Sequence, residues 1–146
     1  MPKTRLGITV IVLALLALAP AAMSRESAAP TLTIKSSSFG RVLFDGRGFV
    51  LYAFTRDKNG RSACYGACAK AWPVYYAKAT LRAGTGIKRS LIGTTKRRDG
   101  RSQITYAGRP LYYYVGDTKA GQILRQNVVE FGGTWLIMRP SGKLVR

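Results

Sequence analysis

"GFVLYAFTRDKNG", residues 48–60, returns later in the chain as "GRPLYYYVGDTKAG", residues 108–121, and this pair of stretches decides the fold. In each, Leu-Tyr is followed by a second aromatic two residues beyond the tyrosine and by an aspartate five residues beyond it. The first set is Leu51, Tyr52, Phe54 and Asp57; the second is Leu111, Tyr112, Tyr114 and Asp117. Residues two apart on a strand share a face, so Tyr52 and Phe54 point one way and Leu51 and Ala53 the other, with Tyr112 and Tyr114 on the matching face of the second copy. These rings are expected to pack in a core or half-core, with the tyrosine hydroxyls reaching a polar rim. A ligand-stacking platform is the competing role. Asp57 at the first position and Gly60 at the fourth fit a type I turn, whose carboxylate accepts backbone N–H groups two and three residues on. A cation-binding or catalytic role for the two aspartates competes with that one.

Outward from these stretches the chain consists of short period-two runs, at residues 31–35, 41–44, 49–54, 90–95, 102–107, 110–115, 134–138 and 143–146. Period two argues for strands. Turn signals at Asp45-Gly46, Asn59-Gly60, Asp99-Gly100, Ala107-Gly108 and Ser141-Gly142 join them into hairpins. One short helix is expected over residues 64–72, ending at Pro73, because proline disfavours helical geometry in the residue before it. Trp72 and Trp135 are a further matched pair. The expected fold is mainly β: a small antiparallel β domain built from two hairpin-based repeats, about residues 41–76 and 102–140, with one short helix at the cysteine pair.

Residues 1–24 read as a secretory signal: Lys3 and Arg5 are followed by an apolar run over 6–19 and by the small residues of "PAAMS", with cleavage expected after Ala22 or Ser24. The apolar run is shorter than the ~20 residues that span a bilayer. No cysteine stands near the cleavage site, so a periplasmic or secreted protein without a lipid anchor is expected. A Ser/Ala/Pro-rich linker, residues 25–31, leads into a single domain, residues 32–146.

The chain carries 24 basic and 6 acidic residues, a net charge of +18. Removal of residues 1–24 takes away Lys3 and Arg5 and no acid, leaving 22 basic against 6 acidic residues, or +16. Such a field attracts polyanions: lipopolysaccharide and other phosphate-bearing envelope polymers, or anionic membrane surfaces. Solubility is the plainer use of the same charge. The densest stretch, residues 88–101, holds Lys88, Arg89, Lys96, Arg97, Arg98 and Arg101 against Asp99, and is the expected polyanion-binding region. No sequence-reading nucleic-acid motif is present, so binding to nucleic acid would be electrostatic and salt-sensitive.

Histidine is absent and there are two cysteines. Cys64 and Cys68 in an exported chain are expected to form a disulfide, with Gly66 between them letting the turn tighten. A metal or redox role for the pair is the alternative, and a metal would find two thiolates and no evident third ligand. Serine and cysteine nucleophiles lack a histidine base, and the one carboxylate pair of interest, Asp57 with Asp117, has no established proximity. A non-enzymatic protein with no catalytic residues, cofactor or metal is expected. The competing class is a periplasmic small-molecule, metal or redox binding protein using the aromatic rows and Cys64/Cys68.

Taken together, "LYAFTRD", "SACYGACAKAWPV", "LYYYVGD" and "EFGGTWLIMRPSG" resemble a family of bacterial secreted and lipoprotein domains with a Y-x-[FWY]-x-x-D motif, known as a secreted repeat of unknown function. By position the motif residues are Tyr52, Phe54 and Asp57, then Tyr112, Tyr114 and Asp117; the cysteine-tryptophan segment is Cys64, Gly66, Cys68, Ala69, Trp72 and Pro73. Many members carry a lipobox cysteine, which this chain lacks, and Val74 stands where a second proline often follows. The resemblance implies export and fold and supplies no biochemical activity.

Overall fold

The structure, a computed structural model, describes Met1 and residues 31–146. Apart from Met1, the signal segment, its cleavage site and all but the last residue of the linker lie outside the described residues. Within them the chain forms β1 (Leu32–Ser37), β2 (Gly40–Asp45), β3 (Tyr52–Phe54), α1 (Ala67–Ala71), a 3-10 turn (Arg89–Leu91), β4 (Ile92–Lys96), β5 (Ser102–Tyr106), β6 (Arg109–Pro110), β7 (Val128–Glu130) and β8 (Gly133–Ile137). These make three small antiparallel sheets, ordered β1-β2, β3-β8-β7 and β4-β5-β6. The domain is mainly antiparallel β with one short helix beside the cysteines, as the period-two pattern predicts.

The two copies are exchanged rather than set side by side. β3, from the first copy, pairs with β8, from the second, in the register Tyr52↔Ile137 and Phe54↔Trp135. The reverse exchange brings residues 73–75 of the first copy against 111–113 of the second: Tyr75 N–H donates to Leu111 O at 3.1 Å and Tyr113 N–H to Pro73 O at 2.8 Å. Leu43 N–H donates to Met138 O (3.0 Å) while its counterpart Ile104 donates to Tyr75 O (2.9 Å). Each copy therefore completes its hydrogen bonding on the tryptophan-bearing segment of the other, and a buried backbone N–H without such a partner would cost about 1–3 kcal/mol.

Strand alternation divides the interior in two. Tyr52, Phe54 and Tyr112 enter an aromatic cluster with Trp72, Trp135 and both cysteines, and Tyr114 packs against it. Leu51, Ala53 and Leu111, one residue out of step, enter an aliphatic cluster with Leu32, Leu43, Ile104 and Met138. The expected face assignment is what the chain adopts.

Several boundaries differ from expectation. Of residues 110–115 only Pro110 lies in a strand, the two-residue β6; beyond it, Tyr112 makes single bridges to Tyr52 and to Val74. The chain there changes partner at successive residues, so no ladder accumulates. Residues 143–146 form one bridge, Met138↔Leu144, rather than a strand. The helix begins at Ala67, so Cys64 precedes it. β7 was not foreseen: it is three residues long, and the two-residue loop joining it to β8 places Phe131 (φ 54°) before Gly132 (φ 76°), a left-handed position that bulky residues rarely take.

The turn after β3 also differs. Lys58 and Arg61 face each other across Asn59 (φ 52°) and Gly60 (φ 72°), a primed hairpin turn, and Asp57 lies just before it. Asp57 is thus not the first residue of a type I turn ending at Gly60.

Candidate functional site

The motif tyrosines meet at the centre of the exchange. Tyr52 and Tyr112 donate backbone N–H groups to each other's carbonyls, both at 2.9 Å. The Tyr52 hydroxyl then donates to Asp117 Oδ2 at 2.7 Å, and the Tyr112 hydroxyl to Asp57 Oδ2 at 2.8 Å. Each aspartate also accepts a backbone N–H from the loop that follows it, Ala63 to Asp57 at 2.7 Å and Leu124 to Asp117 at 3.0 Å. The two motif aspartates are therefore clamps between copies, with the tyrosine of one copy held by the carboxylate of the other. Local turn chemistry foresaw a carboxylate accepting backbone N–H groups but placed them two and three residues on; they lie six and seven residues on.

Burial pushes the Asp57 carboxyl up to about 6, against the opposing pull of Ala63 N–H, the Tyr112 hydroxyl and the charges of Arg97 and Arg109. Burial also raises Asp117, against the Tyr52 hydroxyl and Leu124 N–H. Tyr52 and Tyr112 are raised by burial and by their carboxylate partners, so both phenols are neutral donors.

The remaining motif rings form a stack. Phe54 lies on Trp135 (centroids 4.2 Å, planes 9° apart), Trp135 on Trp72 (3.9 Å, 2°) and Trp72 against Tyr114 (4.9 Å, 45°). Tyr52 meets Trp72 edge-on at 5.1 Å and Tyr112 meets Trp135 edge-on at 5.1 Å. Aromatic pairs of this kind contribute about 0.5–1.5 kcal/mol each beyond their burial. Tyr52, Phe54, Tyr112, Trp72 and Trp135 are all closed to solvent, so these five rings are core, while Tyr114 at the end of the row is half-buried. Trp72 Nε1–H donates to Glu130 at 3.0 Å, whereas Trp135 Nε1 has no partner among the described residues.

Cys64 and Cys68 form the expected disulfide, with Cα atoms 5.3 Å apart. The tightening falls at Gly66, whose φ of 56° and ψ of −124° a side chain would resist. Both sulfurs' residues are buried, Cys64 fully.

The basic stretch does not form one patch. Lys88 and Arg89 sit before β4, where Lys88 N–H donates to the Tyr106 hydroxyl and the Arg89 guanidinium to Leu81 O. Lys96 ends that five-residue strand, which rises about 3.3 Å per residue, and Arg97, Arg98 and Arg101 lie beyond it. Arg101 stacks on Tyr76 at 3.3 Å. Arg97 turns inward and is 6% exposed, donating to Ser62 Oγ (2.7 Å), Gln103 Oε1 (2.9 Å) and Cys64 O (2.7 Å). Beside it, a cleft of about 490 Å³ is lined by Arg61, Ser62, Tyr65, Thr95, Lys96, Arg97 and Arg98. Arg61, Ser62 and Tyr65 come to this cleft from the segment between β3 and α1; nothing in their spacing marks them in sequence.

Two intertwined copies of a tyrosine-aspartate motif around a tryptophan pair define a small β repeat domain. A family model described as "secreted repeat of unknown function" matches residues 33–75 and 93–138, and the chain belongs to that family. The matched segments take in β1 and β4, so each copy includes its leading hairpin. Neither the curated proteins nor the solved structures yield a match.

Proposed function

We propose that the protein is an exported, non-enzymatic module of the periplasm or cell surface, free of a lipid anchor after signal cleavage, that associates with anionic envelope polymers. The observation that carries this reading is where the acids go. Of the six, Glu26 lies outside the described residues, and the other five each accept a hydrogen bond from within the fold. Asp45 takes Arg47 N–H, Phe49 N–H and the Tyr113 hydroxyl; Asp57 and Asp117 hold the motif tyrosines; Asp99 takes Arg101 N–H; Glu130 takes Trp72. Two ion pairs, Arg47–Asp45 and Arg125–Glu130, are present among the described residues, so most cations carry an uncompensated charge outward. Acids committed to architecture and bases left to the surface produce a field that concentrates polyanions.

The experiment is cosedimentation with lipopolysaccharide, with phosphatidylglycerol vesicles as a separate arm, comparing the wild type with a variant in which Lys88, Arg89, Lys96, Arg98 and Arg101 are all changed to glutamine. Arg97 is spared because its side chain is buried in the fold. Loss of lipopolysaccharide binding in the variant supports the reading; undiminished binding rejects it. Binding to vesicles and not to lipopolysaccharide would move the partner to the membrane surface.

A further inference from the structure

We infer that the cleft bounded by Arg61, Lys96, Arg97 and Arg98 is a discrete binding site for a phosphomonoester group, a deepening of the envelope-polymer reading on which it rests. Four cations line it and no acid does. The carboxylates closest in sequence to these cations accept hydrogen bonds within the fold, Asp57 from Tyr112 and Ala63 N–H, and Asp99 from Arg101 N–H. None of the four forms an ion pair among the described residues.

The fold holds these like charges together deliberately. The Arg97 and Arg98 guanidinium carbons lie 4.2 and 4.4 Å from the centroid of the same Tyr65 ring. Cation–π attraction fixes each of them, and neither is joined to a carboxylate by an ion pair among the described residues. Arg97 cannot withdraw, because Ser62, Gln103 and Cys64 O hold its terminal nitrogens, and its buried Nε has no partner. Arg61 and Arg98 donate no side-chain hydrogen bond within the described fold, and Lys96 Nζ spends one donor on Gly100 O at 3.1 Å. The uncommitted guanidinium groups of Arg61 and Arg98, with the Lys96 ammonium beside them, bring several positive charges to one cleft, which favours a doubly charged phosphate over a singly charged carboxylate. A cleft of this volume falls in the range that takes a small molecule, so a phosphorylated sugar unit fits.

The test is calorimetric titration of the full mature protein with inorganic phosphate, glucose 1-phosphate, glucose and acetate. Saturable binding of both phosphates at a single site is expected, with none for glucose and weaker or absent binding of acetate. Arg61→Gln, at a side chain that makes no hydrogen bond or ring contact in the fold, and Arg98→Gln should each weaken phosphate binding about tenfold, the effect of losing one charge-assisted hydrogen bond. Lys119→Gln and Lys143→Gln remove the same charge elsewhere and should leave it unchanged. Equal weakening by all four variants, or no saturable phosphate binding at low salt, overturns the site. Absent phosphate binding with retained lipopolysaccharide binding overturns the cleft alone and leaves a diffuse surface. Phosphate binding without polymer association sustains the cleft and rejects the envelope reading.

Discussion

Tyr52 and Tyr112 are joined twice over: their backbones exchange hydrogen bonds at 2.9 Å, and each hydroxyl crosses to the aspartate of the other copy. Coupling across the copies follows. Tyr52→Phe and Asp117→Asn should each destabilise the protein by about 1–3 kcal/mol, since each leaves a buried polar group without its partner. In a urea double-mutant cycle the pair should show a coupling of at least about 0.5 kcal/mol, whereas Tyr52→Phe with Asp57→Asn, partners in sequence but not in space, should be close to additive. Additivity in the first cycle would contradict the clamp.

A pH signature should accompany the companion bond, from the Tyr112 hydroxyl to Asp57. The folded Asp57 carboxyl, raised to about 6 chiefly by burial, holds its proton at a pH where the unfolded chain, near 3.8, has lost it. A raised folded value means that the stability linked to its protonated form is complete below the unfolded value and is lost as pH rises through about 6. The stability of the wild type, read from its urea midpoint, should therefore fall relative to that of Asp57→Asn between pH 4 and 7, by about 2–3 kcal/mol. A difference independent of pH, or one of opposite sign, would show that Asp57 is not held in this environment.

How far the sequence carries depends on the range of the interaction. Period-two alternation reports one strand's own faces, and it sorted Leu51 from Tyr52 and Leu111 from Tyr112 correctly. The disulfide is four residues long and was equally legible. The exchange of tryptophan segments joins residues far apart in sequence, such as Ile104 to Tyr75 and Leu43 to Met138, and no local pattern encodes which copy a strand chooses. The same limit hid the cleft, because Arg61 and Ser62 meet Arg97 only through that topology. A run of basic residues reads as one patch in sequence, yet β4 separates its ends and Arg97 faces the interior.

The tryptophan pair should be the most sensitive point of the core. Trp135 is closed to solvent and touches Phe54, Trp72 and Tyr112. Trp135→Ala should cost about 3–5 kcal/mol, a large share of the 5–15 kcal/mol typical of a domain. Thermal unfolding followed by circular dichroism reads this out, and a melting temperature within a few degrees of the wild type would contradict the packing.

Reduction should be mild by comparison. The Cys64–Cys68 loop is short, worth about 2 kcal/mol in the chain-entropy model, so the reduced protein should remain folded. Alkylation of the native protein should label no thiol before reduction, and two labelled thiols in the unreduced exported protein would reject the bond.

The decisive measurement is the salt dependence of lipopolysaccharide binding by the mature protein, read as log K against log salt concentration. Displacement of counterions by several surface cations requires a steep linear fall, with a slope of magnitude about 0.7–0.9 for each charge neutralised if nucleic-acid polyanions are a guide. A slope of at least about 3, reduced when Lys96, Arg98 and Arg101 are neutralised, is the expected result. Binding that is flat across the salt series, or absent at the lowest salt, would contradict a polyanion-directed surface.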